Sequence, residues 1–196
     1  MKIIFLGPPG AGKGTQAQIL SRKFKIPHLS IGQLLRLEYE KKTKDGLRGE
    51  KYWGERGINV PTVISFAILK KYLHKPNGFI LDNFPRTISN LNALTQYLSK
   101  NKMKIDFVFH LKVDKNESCA RLRKRGQEDE KKLGFKRIDE KEALIKIRWQ
   151  EGYLKDISLI LSYFKNAGVL HNLDGKKSIE KVNKNIIDII NNKKPK

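Results

Sequence analysis

Cysteine is almost missing from this chain: Cys119 is the only one among 196 residues. An internal disulfide is therefore excluded, and so is a cysteine-rich zinc site. Long apolar runs are missing too. The one after Lys2 stops at Gly7-Pro8, too short for a membrane span or the core of a secretory leader. A cytoplasmic protein with no membrane partner is expected. Acidic residues are scarce, 20 against 41 Lys and Arg, which leaves a formal net charge of +21. That field draws any polyanion. Aromatics are only 9% of the chain and do not interleave with the basic residues. There is no aromatic RNA-binding signature, zinc finger or basic stripe, so no dedicated nucleic-acid partner is expected.

What is present fits one compact domain, expected to be a monomer, with 39% hydrophobic residues for a core. Apolar runs recur as KIIFLG, GFILD at 78–82, DFVFHLKV at 106–113 and VLHNL at 169–173. Amphipathic stretches lie between them at 14–24, 61–73, 87–100 and 114–125. Strands alternating with helices predict an α/β sandwich with a parallel sheet covered on both faces and ligands at the carboxyl ends of the strands. Residues 30–60 carry two short helices and no strong strand. Residues 126–136, GQEDEKKLGFK, are polar with two glycines. Both segments read as excursions from the sheet.

The stretch GPPGAGKGTQ, residues 7–16, follows the first apolar run. Gly7, Gly10 and Gly12 let backbone N–H groups point inward, and a helix starting at Lys13 adds its positive end, so the loop is a cradle for phosphates. Lys13 can bridge β- and γ-phosphates as a point charge. A generic phosphate loop has its magnesium hydroxyl directly after the lysine; here Gly14 intervenes before Thr15. This GxPGxGKGTQ pattern resembles the adenylate kinases and their nucleoside monophosphate kinase relatives, and the likeness runs over nearly the whole chain.

The resemblance implies a P-loop NTPase-type three-layer sandwich with a central parallel sheet, in a single kinase domain over 1–196. Its core would be 1–29, 61–125 and 137–196, with an NMP-binding insertion at 30–60 and a short lid at 126–136. It implies ATP and AMP as substrates and two ADP as product. A UMP/CMP kinase, or a nucleotide-binding paralogue with weak catalysis, is the alternative. Mg2+ accompanies ATP, with no ion directly liganded by the protein and Asp82 acting through metal-bound water. Structural zinc is not expected, because 126–136 holds no cysteine.

Carried onto this chain, the donor contacts are Gly10, Ala11, Gly12, Lys13, Gly14, Thr15, Arg121 and Arg125. Gly175 and Lys177, in LDGKK, face the donor adenine. On the acceptor side, SIGQLLR at 30–36 supplies Ile31 and Arg36, and GINVP supplies Ile58, Asn59 and Val60. NFPR supplies Asn83, Phe84, Pro85 and Arg86, and Asn90 follows. Arg137 and Arg148 complete the AMP-binding set, and with Arg121 and Arg125 they match the family's arginines that close over the donor and both phosphate chains. The catalytic set is Lys13, Asp82, Arg86, Arg125, Arg137 and Arg148.

Several acceptor-side positions depart from the family pattern. Ile31 replaces Thr, Gln33 replaces Asp and Asn83 replaces Gly. Asn90 stands where adenylate kinases usually carry Gln and UMP/CMP kinases carry Asn. Ser30 and Gln33 form an S-x-x-Q pattern that predicts a capping box. Asn83 suits unusual backbone angles. Direct in-line transfer needs no nucleophilic side chain, and His28, His74, His110 and His171 read as isolated structural residues.

Overall fold

A computed structural model describes residues 1–53, 59–73, 77–133 and 142–193. A five-stranded parallel sheet forms its centre. The strands are β1 (Lys2–Leu6), β2 (His28–Ser30), β3 (Phe79–Asp82), β4 (Phe107–Lys112) and β5 (Leu170–Asp174), in the order β2-β3-β1-β4-β5. All four pairings are parallel. The four apolar runs are strands as expected. The fifth, β2, is a three-residue edge strand that the sequence did not announce.

Because β1, β3 and β4 are covered on both faces, their side chains alternate between two cores. Ile4, Leu6, Phe79, Leu81 and Val108 face one cluster. Ile3, Phe5, Ile80, Phe107 and Phe109 face the other. Period-two alternation inside an unbroken apolar run is what a buried parallel strand requires. Helices α1 (Lys13–Phe24), α2 (Ile31–Glu40), α3 (Lys44–Trp53), α4 (Thr62–Lys70) and α5 (Ile88–Lys100) follow in chain order. They are succeeded by α6 (Lys115–Leu133), α7 (Glu142–Trp149), α8 (Ile157–Asn166) and α9 (Ile179–Lys193). A π-helical turn, Gln150–Leu154, continues α7. Helices α2, α4, α5 and α8 cover the first core, and α1 and α9 the second. Among the described residues no helix is long and apolar enough to cross a membrane.

Two local expectations change. The helix expected over 114–125 continues through Leu133, so the polar segment begins as helix. Its Gln, Glu and Lys residues are good helix formers, and Gly126 alone does not stop them. The capping box does not form. Ser30 sits at the N-cap of α2 with extended backbone but makes no side-chain capping bond. It closes β2 opposite Asp82, and burial of Ile31 at the first helical position fixes the helix start instead.

The excursion between β2 and β3 has its own polar fastening. Glu38, only 3% exposed, accepts from Lys71 Nζ at 2.5 Å, Tyr72 Oη at 2.9 Å and Thr43 Oγ1 at 2.9 Å. These bonds, led by that of Lys71, hold its carboxyl below the ordinary 4.5. Gly46 is required in α3, since a Cβ there would lie 2.2 Å from the Glu38 backbone.

Candidate active site

The register brings the ends of β1 and β3 together: Phe5 pairs with Asp82, and the glycine loop begins two residues later. Left-handed φ values of 75° at Gly10 and 86° at Gly12 turn the chain into α1, geometry that costs a side-chain-bearing residue about 1 kcal/mol or more. Lys13, 7% exposed, folds back inside the loop. Its Nζ donates to the Gly7 carbonyl at 2.9 Å and the Pro8 carbonyl at 2.7 Å.

Burial is the main cause that brings the Lys13 pKa from 10.5 down to about 7. Asp82 opposes that shift, while the guanidinium groups of Arg86, Arg148 and Arg125 add to it. Residues separated by more than 130 positions thus share one electrostatic site. A lysine so crowded by cations is poised for a polyanion, whose charge would restore its proton.

The glycine after the lysine has a spatial reason. A Cβ on Gly14 would meet the Asp82 carboxylate, 3.2 Å from Oδ2. The carboxylate occupies the space beside the position that carries a hydroxyl in the generic loop. Thr15 is exposed on α1. Among the described residues no cluster of three or more His, Cys, Asp or Glu could hold a metal ion. One carboxylate beside a phosphate cradle fits Mg2+ that keeps most of its waters and binds chiefly to phosphate oxygens.

Among the residues expected at the acceptor, Asn83 has φ 64°, an unusual angle of the kind its side chain tolerates. Its amide oxygen, turned toward Arg86, accepts from Nε at 2.9 Å and from Nη2. Arg86 Nη1 donates to Asn59 Oδ1 at 3.3 Å, so the guanidinium is held from two sides. Phe84 is buried and stacks on Phe66 with centroids 6.2 Å apart; Pro85 is also buried. Asn90, 5% exposed, accepts from the Arg86 backbone N–H at 3.2 Å and donates to Thr62 Oγ1 at 2.8 Å. Its oxygen is engaged and one amide hydrogen is left to offer. Val60 is half-buried against the first core. Arg36 is exposed on α2, leaning over Gly32.

Among the residues expected at the donor, Arg121 donates from Nε to Glu117 at 2.7 Å and from Nη1 to the Gly175 carbonyl at 2.8 Å. Gly175 lies close to the loop: a Cβ there would be 3.4 Å from the Ala11 carbonyl oxygen. Arg121 and Gly175, both expected at the donor, are thus bonded to each other. Lys177 is exposed in the turn after β5. Ile58, Arg137 and His74 lie outside the described residues, as do 134–136 of the expected lid.

The histidines are not all isolated. His28 Nε2 lies 3.3 Å from Asp82 Oδ2, because β2 pairs His28 with Ile80 and Ser30 with Asp82. Buried His110 bonds Asn172 and Tyr153, each at 2.9 Å, and desolvation lowers its pKa. His171 packs against Phe107 and Phe109. Ser118 touches the loop at Pro9 and Trp149 bonds Ser118, and neither residue stands out in the sequence. Only a pairing register between distant segments would have signalled these residues.

A parallel sheet with a glycine cradle, a buried lysine, a strand-end aspartate and converging arginines defines a P-loop phosphotransferase. The adenylate kinase family model matches residues 5–169. An adenylate kinase of Beijerinckia indica is 39% identical over 185 residues, covering 93% of this chain and 95% of that protein. One from Archaeoglobus fulgidus is 36% identical over 214 residues, covering 97% and 98%. One from Leptospira biflexa is 36% identical over 192 residues, covering 96% and 99%. The chain belongs to the adenylate kinase family.

Proposed function

We propose that this protein transfers the γ-phosphoryl group of MgATP to AMP, reversibly, giving two ADP. The observation that carries the reading is Lys13, inside the glycine loop with Arg86, Arg125 and Arg148 acting on its proton. That is a site built for two phosphate chains. The loop N–H groups and Lys13 hold the donor phosphates, and Gly175, Lys177 and Arg121 border the donor base. Arg36 and the doubly held Arg86 take the AMP phosphate. Ile31, Asn59, Val60 and Asn90 border the acceptor base, with Phe84 and Pro85 packed behind. Ile58 and Arg137 complete these sets in this reading.

Transfer needs no protein nucleophile: the acceptor phosphate attacks in line, and charge spread over the moving group is met by guanidinium forks and Lys13. Bound with the nucleotide, Mg2+ neutralises part of the phosphate charge. Asp82 would hold that ion through its waters, with His28 steadying the carboxylate from one side and Gly14 leaving it room on the other. Residues 30–60 serve as the acceptor arm and the segment around 126–136 as a short closing lid that excludes water.

A coupled assay with AMP, UMP, CMP and GMP as acceptors tests the reading. AMP is expected to give the highest kcat/KM. Higher kcat/KM for UMP or CMP would move the assignment to the pyrimidine kinases, and transfer to none would refute it.

A further inference from the structure

Ser118 lies on α6, fully buried, in a position the reaction does not obviously use. Its hydroxyl donates to the Pro9 carbonyl at 2.5 Å and accepts from Trp149 Nε1 at 2.9 Å. One oxygen therefore joins the phosphate loop to the end of α7, next to Arg148. The contact is close along its length: a Cβ on Gly10 would lie 2.8 Å from the Ser118 carbonyl oxygen and 3.2 Å from Leu122.

Trp149 belongs to a small third core with Leu122 and Ile145, flanked by Cys119 and Tyr153. Tyr153 lies in the π-helical turn that continues α7, a distortion that often marks functional segments. Its hydroxyl donates to His110 Nε2, leaving Nδ1–H for Asn172 Oδ1. The segment carrying Arg148 is thus anchored on both sides, by indole to Ser118 on α6 and by phenol to His110 on β4. Apolar packing alone would let a helix rotate or slide. A buried indole N–H needs an acceptor, so the Ser118 bond fixes the rotation of α7 about its axis.

We propose that Ser118 and Trp149 are positioning residues for phosphoryl transfer, holding Arg148 in register with the phosphate loop through the Pro9–Ser118–Trp149 chain. The inference rests on the kinase reading above. A misplacement of about 1 Å in a charge-stabilising group is enough to slow transfer severely, and the chain removes that freedom before substrate binds.

The experiment is a double-mutant cycle with steady-state kinetics and thermal unfolding on Ser118→Ala, Trp149→Phe, Arg148→Ala and each pair with Arg148→Ala. Ser118→Ala and Trp149→Phe are each expected to lower kcat about five- to tenfold, with KM for both nucleotides within about twofold. In the Arg148→Ala background either change should cost less than about twofold, since its route of action is gone. Unchanged kcat with a lowered Tm would make the chain purely structural and overturn the proposal. An equal loss in both backgrounds would overturn it too. Either failure leaves the kinase reading standing while wild-type protein phosphorylates AMP; an inactive wild type would instead remove that reading. Should Ser118→Ala not fold, Trp149→Phe, which keeps the aromatic packing, decides the question.

Discussion

Binding of ATP should pull a proton from solvent onto Lys13. In the empty site its pKa is about 7 rather than 10.5, a gap equivalent to roughly 5 kcal/mol against the charged form. At pH 8 only about one lysine in ten is protonated when the site is empty. A bound polyphosphate sets negative charge against the buried ammonium, offsetting the burial that chiefly lowers its pKa and the smaller push of the arginines, and returns the pKa well above 8. Uptake of about 0.9 proton per ATP at pH 8 is expected, falling to about 0.5 at pH 7. Isothermal titration calorimetry with a non-hydrolysable ATP analogue, in two buffers of different ionisation enthalpy, measures it directly. Lys13→Met is the control and should lose the uptake. The sign for stability is the reverse of a salt-bridged lysine. Because the folded pKa is depressed, the unfolded chain binds this proton more tightly between pH 7 and 10.5. The cost to the empty protein is complete below pH 7 and disappears as pH rises through that window. Ligand-free Lys13→Met should therefore melt higher than wild type at neutral pH while losing stabilisation by ATP. No proton uptake at pH 8, or equal uptake in Lys13→Met, would refute the reasoning.

Gly14→Ser places a side chain against Asp82 Oδ2 and should lower kcat more than about tenfold with circular dichroism unchanged; near-normal kcat would mean the carboxylate yields freely. Asn83→Gly removes one of the two holds on Arg86 and should raise KM for AMP about fivefold while leaving KM for ATP alone; an equal rise in both would place the effect elsewhere. Glu38→Gln should cost about 1–2 kcal/mol in urea unfolding, less than a fully buried pair because the Lys71 side chain is 46% exposed. Since the Glu38 pKa is depressed in the fold, its contribution is present above about 4.5 and lost as pH falls below it. The variant should lack that part of the acid dependence.

Local chemistry was legible in the sequence, and long-range geometry was not. The phosphate loop is contiguous, so glycine spacing and Lys13 announced it. The strands β1, β3, β4 and β5 were readable because burial on both faces makes them apolar runs. HLS of β2 is too short and too mixed to stand out, and with it went the approach of His28 to Asp82. The side-chain type of Asn83 is compatible with unusual backbone angles, but its positive φ and its grip on Arg86 are tertiary events. The capping box failed because Ser30 belongs to a strand end, which no local pattern states. The bond from Ser118 to Pro9 spans 109 positions, and the helix face presented to the loop depends on where the sheet places α6.

The two cores divided by the sheet have an evolutionary consequence. Leu29, Ile31, Leu34, Phe84 and Leu91 lie in the first cluster, at or beside Ile31, Gln33, Asn83 and Asn90, the departures on the proposed acceptor side. Ala11, Ala17 and Leu20, which seat the phosphate loop and α1, lie in the second. Substitutions on opposite sides of the sheet share few partners, so their energetic effects are close to additive. Acceptor preference can drift in such a lineage one residue at a time, with the ATP-handling half under no pressure to follow.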